Sequence, residues 1–196
     1  MKKLDEKKKI KEETMLDTAF DLFTTKGFKD TSVQDIVDNA GVGKGTFYLY
    51  FKDKYEIQDY LIARKSKQLF SSAIKSLNKK DPSSFKDYKD KIIFVIDYII
   101  DELTKNKLLL KFISKNLSWG LYNDKLSKLI DDESIGVQEV FLELIKDSKM
   151  KNPELKLFMI IELVSGTIFS SIMTSKPLPI KELKPYLYEE IRGMLS

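Results

Sequence analysis

Cysteine and histidine are both absent from the 196 residues. Their absence removes disulfides, zinc sites built on thiolate or imidazole, haem ligation by either side chain, and Ser-His or Cys-His catalysis. No cofactor and no metal site is expected. Also missing are a phosphate-binding glycine loop, a paired-carboxylate motif and any nucleophile-base constellation, so the chain does not read as an enzyme. The N-terminus, Met1-Lys2-Lys3-Leu4-Asp5-Glu6, is charged but has no apolar h-region, so it is not a secretory signal and a cytoplasmic location is expected. Strand-like alternation is scarce, and there is no internal repeat or low-complexity tract.

The charge is less informative than it first looks. A formal net charge of +4 invites a nucleic-acid partner, yet residues 1–60 hold 11 Lys against 12 Asp plus Glu, and residues 61–196 hold 23 Lys plus Arg against 18 acids. Bulk charge therefore locates no binding surface, and local geometry has to do so.

What is present is helix period: apolar residues recur at spacings of three and four along nearly the whole chain. From about Lys8 to Lys26, Leu16, Ala19, Phe20 and Phe23 form one apolar face, and Gly27 stands where a left-handed cap belongs. The acids interspersed among Lys2 to Lys11 favour a helical extension there over a free basic arm. Thr31-Ser32-Val33-Gln34 fits a capping box opening a second helix, with Gln34 reaching back; Asp53-Lys54-Tyr55-Glu56 fits another opening a long helix through Leu61, Leu69, Ala73 and Leu77. The polar, proline-containing stretch from Asn78 to Ser84 is the clearest break. Further helices are predicted over Phe85 to Leu103, Leu108 to Leu117, Leu126 to Ile145, Leu155 to Met173 and Ile180 to Leu195, the last entered through Pro177 and Pro179. The expected fold is all-α, with about nine helices.

One short stretch stands out. Gly41-Val42-Gly43-Lys44-Gly45 is followed at once by Thr46-Phe47-Tyr48-Leu49-Tyr50-Phe51. Two short helices, Ser32 to Asn39 and Lys44 to Tyr50, joined by a tight turn at Gly41, have the dimensions of a helix-turn-helix. Phe47 and Phe51, four apart, are expected to join Phe20, Phe23 and Ile36 in a small core. Lys44, Thr46, Tyr48 and Tyr50 are expected on the opposite side, offering an ammonium, a hydroxyl and phenols to phosphates and base edges. Gly45 would allow a close backbone approach, and Lys54 would add charge at the start of the following helix.

The run Ala19, Leu22-Phe23, Gly27-Phe28, Thr31-Ser32-Val33, Ile36, Ala40-Gly41-Val42, Lys44-Gly45-Thr46-Phe47-Tyr48, Tyr50-Phe51 and Lys54 resembles the N-terminal domain of TetR-family transcriptional regulators, over about residues 8 to 60. The resemblance implies a DNA-binding domain over residues 1–60, with its reading motif at about 32–51, and a helical effector-binding and dimerisation domain over 61–196. It implies DNA contacts at Ser32, Gln34, Lys44, Gly45, Thr46, Tyr48, Tyr50 and Lys54. Three positions depart from the family pattern: Gly43 stands where a polar residue is common, Val37 replaces a usual alanine, and Ile57 replaces a usual leucine.

Leu155 to Met173 is too apolar all round for a surface helix, yet its length and Glu162, Ser165, Gly166 and Ser170 fall short of a membrane span, so no membrane partner is expected. The resemblance implies a homodimer through about 155–174 and 180–195, an operator that is a near-palindrome of double-stranded DNA, and repression relieved by a small-molecule effector. Phe112, Trp119, Tyr122, Phe141, Phe158, Glu162 and Phe169 are candidates to line the effector pocket, although core packing explains each of them as well. The competing reading is a helical interaction or adaptor protein with a vestigial helix-turn-helix, for which Asp35, Asp38 and Asp53 near the reading face would argue.

Overall fold

The computed structural model describes residues 2–114 and 136–196, with side chains from Glu6 onward. Among these residues there are nine α-helices and no strand. The chain divides into two compact units, Met1–Ile62 and Ala63–Ser196.

In the first unit, α1 (Lys2–Leu22) begins well before the expected Lys8 and ends in a π-helical turn, Phe23–Gly27. Gly27 closes that turn at φ +98°, a conformation that costs a glycine little and an L side chain much. The turn lets Phe28 fold back edge-on against Phe23, with ring centroids 5.1 Å apart. Thr31 is buried and donates to the Gly27 carbonyl at 2.8 Å, so the chain leaves α1 along a fixed path.

α2 (Val33–Ala40) and α3 (Lys44–Tyr50) follow. Ser32 caps α2, but the partner that completes the capping box is Asp35, three residues on, rather than Gln34. Gln34 lies too early to reach back to Ser32 and bonds forward instead, donating to Asp38 Oδ1 at 2.8 Å. α2 ends at Gly41, φ +64°, where the Val42 amide donates to the Val37 carbonyl at 3.0 Å, five residues back. The core of this unit gathers Met15, Leu16, Ala19, Phe23, Ile36, Val37, Phe47, Phe51 and Ile57, all buried. Phe20 is only half-buried.

α4 (Lys54–Asn78) starts in the first unit and ends in the second. Asp53 Oδ1 accepts from the amides of Tyr55 and Glu56, and Glu56 reaches back to the Lys52 amide. A 3-10 turn at Pro82–Ser84 then precedes α5 (Tyr88–Lys105), which opens three residues after the expected Phe85 because Asp87 supplies its cap. α6 (Lys107–Ile113), α7 (Val137–Leu144), α8 (Pro153–Thr174) and α9 (Ile180–Met194) complete the second unit. The expected helices over 108–117 and 126–145 fall partly outside the described residues.

α8 is long and apolar enough by length and composition to cross a membrane, with a mean hydropathy of 1.8 over its best window. Its packing accounts for much of that character: Leu157, Ile160, Ile161, Val164, Ile168 and Ile172 are buried in one cluster with residues of α4, α5, α6, α7 and α9. α9 is lashed to α5 by matched spacings. Lys184 bonds to Asp97 at 2.6 Å and also to Asp101, Tyr188 donates to Asp97, and Arg192 meets Asp90 at 2.5 Å. Burial works against the charged Lys184, but its two carboxylates outweigh it and the ammonium is held above the usual lysine range. Burial pushes the Asp97 carboxyl up, and the Lys184 and Tyr188 hydrogen bonds more than reverse this.

Candidate functional site

α3 is seven residues long, and its two faces are set by two phenylalanines. Phe47 is fully buried and Phe51 nearly so, their centroids 5.8 Å apart, which leaves the opposite face to solvent. At 100° per residue that face is Lys44, Gly45, Tyr48 and Leu49, all exposed. Tyr48 leans edge-on against Phe47 at 5.4 Å, so an exposed phenol is braced by a buried ring.

The expected face of Lys44, Thr46, Tyr48 and Tyr50 is corrected in two places. Steps of two belong to a strand and not to a helix, so Thr46 and Tyr50 fall on the flank and are half-buried. The Tyr50 hydroxyl is turned inward and donates to the Lys8 carbonyl on α1 at 3.1 Å. In their place the face gains Leu49, 82% exposed, which sequence reading missed although the helical wheel places it beside Gly45.

Ser32 and Gln34 sit exposed at the first turn of α2. The Ser32 amide donates to Asp35 Oδ2 at 2.7 Å and its hydroxyl does so at 2.8 Å, while Lys26 reaches the same oxygen at 3.0 Å. The Ser32 amide, its hydroxyl and the Lys26 ammonium together hold the Asp35 carboxyl down at about 2. Asp35 is thus consumed by a cap, and Asp38 by Gln34, so two of the three acids that argued against a DNA face are engaged locally.

Lys54 is also placed differently from the expectation. Its ammonium donates to the carbonyls of Phe28, Lys29 and Thr31 at 3.0, 3.3 and 3.0 Å and lies 4.6 Å from the centre of the Phe28 ring. An ammonium has three hydrogens, and three carbonyls take them. Lys54 therefore anchors the turn between α1 and α2. α3 itself begins without a side-chain cap, because Gly43 occupies the cap position.

The second unit contains a cavity of about 90 Å³. Its walls come from α4, α5, α7 and α8, with Phe70, Ile96, Phe141, Leu144, Ile160 and Ile161 among the lining residues. Of the candidates named from sequence, Phe141 lines it. Phe158 and Glu162 do not: on α8 the cavity takes Leu157, Ile160, Ile161 and Val164, and residues one position away point outward, so both are exposed. Phe112 and Phe169 are half-buried against the main core and away from the cavity lining. Trp119 and Tyr122 lie outside the described residues. The lining is mostly aliphatic, with Phe70 and Phe141 its aromatics, and its one polar member is Ser66, 1% exposed.

A short solvent-facing helix braced on buried rings, set against a second helix through a left-handed glycine turn, defines a helix-turn-helix DNA-binding protein. Comparison with known proteins makes this more particular. Residues 15–61 match the family of bacterial regulatory proteins, tetR family. An HTH-type transcriptional regulator of Staphylococcus aureus (strain USA300) is 26% identical over 172 residues, covering 86% of this chain and 85% of that protein. YuxN of Bacillus subtilis, an uncharacterized HTH-type transcriptional regulator, is 46% identical over 46 residues, 24% of this chain and 16% of that protein's length. The solved fatty acid degradation regulator FadR of Bacillus halodurans superposes with a TM-score of 0.63 at 16% identity, covering 91% of this chain and 93% of its own. FadR of Bacillus subtilis, in complex with stearoyl-CoA, superposes with a TM-score of 0.61 at 22% identity, covering 92% and 97%. Residues 15–61 thus carry the tetR-type helix-turn-helix domain, and over most of its length the chain is similar to HTH-type transcriptional regulators.

Proposed function

We propose that this regulator is a cytoplasmic, dimeric repressor that two copies of α3 hold on a near-palindromic operator and that a small molecule releases. The observation that carries the DNA side is the exposed face Lys44, Gly45, Tyr48 and Leu49 on a helix fixed by Phe47 and Phe51. A cation meets phosphate there, a phenol donates to phosphate or a base edge, and an aliphatic tip suits a thymine methyl. One seven-residue helix reads few bases, so pairing two of them supplies the specificity that a single one lacks.

The dimer reading is supported by α8. Leu155, Phe158, Met159, Glu162, Gly166 and Ser170 form one exposed stripe along the helix, apolar at one end and small-sided at the other. Tyr186 on α9 is exposed as well. A stripe of this kind fits packing of α8 and α9 against the same helices of a second copy. The effector reading is supported by the cavity, and the stearoyl-CoA bound to FadR of Bacillus subtilis supports a small-molecule ligand for this chain in kind. Binding would favour one arrangement of the dimer over another and so change its fit to DNA.

The test is a titration of purified protein against labelled DNA from upstream of its own gene, across salt, beside Lys44→Ala and Tyr48→Ala variants. Saturable binding that falls with salt and weakens in both variants is expected. Binding that does not exceed that to a random fragment, in this DNA and in a genome-wide selection, would sink the repressor reading.

A further inference from the structure

The cavity of the second unit is lined by apolar side chains with one exception. Ser66 on α4 lines it, is 1% exposed, and its Oγ has no hydrogen-bond partner among the described residues. Serine and threonine hydroxyls inside helices can donate to the carbonyl three or four residues back, and several in this chain do so, among them Thr104 to Ile100 at 2.7 Å and Thr167 to Leu163 at 2.6 Å. Ser66 does not, so its hydroxyl is left without a partner on a residue that borders a space walled by Leu69, Ile92, Ile96, Val140 and Ile161. A buried hydroxyl in that position is costly unless something in the space meets it.

The size of the space and its lining together limit what that is. A dry apolar cavity of 150 Å³ is enough for a benzene-sized molecule, so about 90 Å³ suits roughly four or five non-hydrogen atoms. No lysine, arginine or acid is among the lining residues, so an ionised ligand group would be desolvated with nothing to pair it. We propose that the cavity takes a small uncharged lipophile with a single hydrogen-bonding oxygen, a short aliphatic alcohol or ketone, whose oxygen meets the Ser66 hydroxyl while its carbon body fills the aliphatic walls. This names the effector class for the site proposed above and rests on that reading of the second unit as an effector domain.

Ser66 selects for the oxygen and the walls select against charge. A site that hydrogen-bonds a ligand oxygen discriminates against an analogue without one, because its own polar group is then stranded. The probes that separate these effects are 1-butanol, 1-chlorobutane of equal heavy-atom count, and butanoate. Binding is read by ligand-observed NMR titration on the intact wild-type protein and on Ser66→Ala and Val140→Phe.

In wild type the alcohol binds and butanoate does not. In Ser66→Ala, the affinity for 1-butanol relative to 1-chlorobutane drops by about five- to tenfold, one neutral hydrogen bond's worth. Ser66→Ala removes the stranded hydroxyl and keeps good helix propensity, so its melting temperature stays at or above that of wild type. Val140→Phe fills the space from α7 and abolishes binding of both neutral probes. An alcohol preference that is indifferent to Ser66, binding of butanoate as tight as that of the alcohol, or binding that survives Val140→Phe would each overturn the assignment. Release of labelled operator DNA is measured in a separate arm. If the predicted probe pattern holds and DNA stays bound, the repressor-release reading fails while the ligand class stands.

Discussion

The Lys54 ammonium donates to the Thr31 carbonyl at 3.0 Å, across 23 residues of sequence, and so locks the start of α4 onto the turn that launches α2. Two more carbonyls, of Phe28 and Lys29, share the same ammonium. Replacing Lys54 with methionine keeps the aliphatic stem and strands all three. We expect Lys54→Met to lower the unfolding free energy by about 2 kcal/mol, as seen in chemical denaturation. Its DNA affinity should fall without a reduced salt slope, since the residue does not act by neutralising a phosphate. A loss of about one unit of salt slope with unchanged stability would reverse this assignment.

The two tyrosines of α3 should separate cleanly. Tyr50→Phe loses the bond to the Lys8 carbonyl and should cost about 1 kcal/mol of stability. Tyr48→Ala removes an exposed ring and should leave stability within about 0.5 kcal/mol while weakening specific DNA binding by roughly tenfold. Melting curves and operator titrations of the two variants, run side by side, give four numbers that must fall in this pattern.

Leu49 carries an exposed apolar tip, with no polar role of its own, on the face proposed to meet DNA. Leu49→Ala should be neutral for folding, and selection from a randomised operator library should show a relaxed preference at one symmetric pair of positions, with the rest of the motif intact. An unchanged selected motif would remove Leu49 from the reading face.

Acid should loosen specific joints in a known direction. Asp35, Asp90 and Asp97 all have carboxyls held below the ordinary range: Asp35 by the Ser32 amide and hydroxyl and Lys26, Asp90 chiefly by Arg192, and Asp97 by Lys184 and Tyr188 acting against burial. A depressed folded value means that the stabilisation is fully present above the unfolded value near 3.9 and disappears as pH falls through the folded one, about 2 for Asp35. Melting temperature should therefore decline below about pH 4, and the carboxyl carbon shift of Asp35 should report a midpoint of about 2. A Lys26→Met variant should move the Asp35 midpoint upward.

The N-terminal unit was legible in the sequence because its signals are local. Gly27, Gly41 and Asp53 mark turns and caps that need only a few neighbours, and each stands at the turn or cap the sequence indicates, while the cap of α2 falls one residue later than the box read over Thr31 to Gln34. What failed there was a question of angle: Thr46 and Tyr50 were assigned by alternation when the helix turns 100° per residue, and the inward bond of Lys54 depends on carbonyls more than twenty residues away. In the second unit, the helices α4, α5, α8 and α9 could be read from period, but the cavity could not. Its wall is made by the faces that four helices turn toward one another, and an aliphatic residue facing a void looks in sequence like one facing a neighbour. Ser66 in particular gives no local sign that its hydroxyl is unmet. Aromatic residues drew attention to Phe158 and Phe169, which the phase of α8 carries away from the cavity.

Gly166 lies toward the small-sided end of the exposed stripe of α8, and a Cβ added there would meet nothing within 4 Å. In a chain that contains no other thiol, Gly166→Cys would create a single reactive sulfur at the surface, free of competing disulfides. Mild oxidation of that protein becomes a ruler: copies that meet along this helix will cross-link in one defined register, and the same sulfur, carrying a spin label, will report how the distance between two such helices changes when DNA or a small molecule binds.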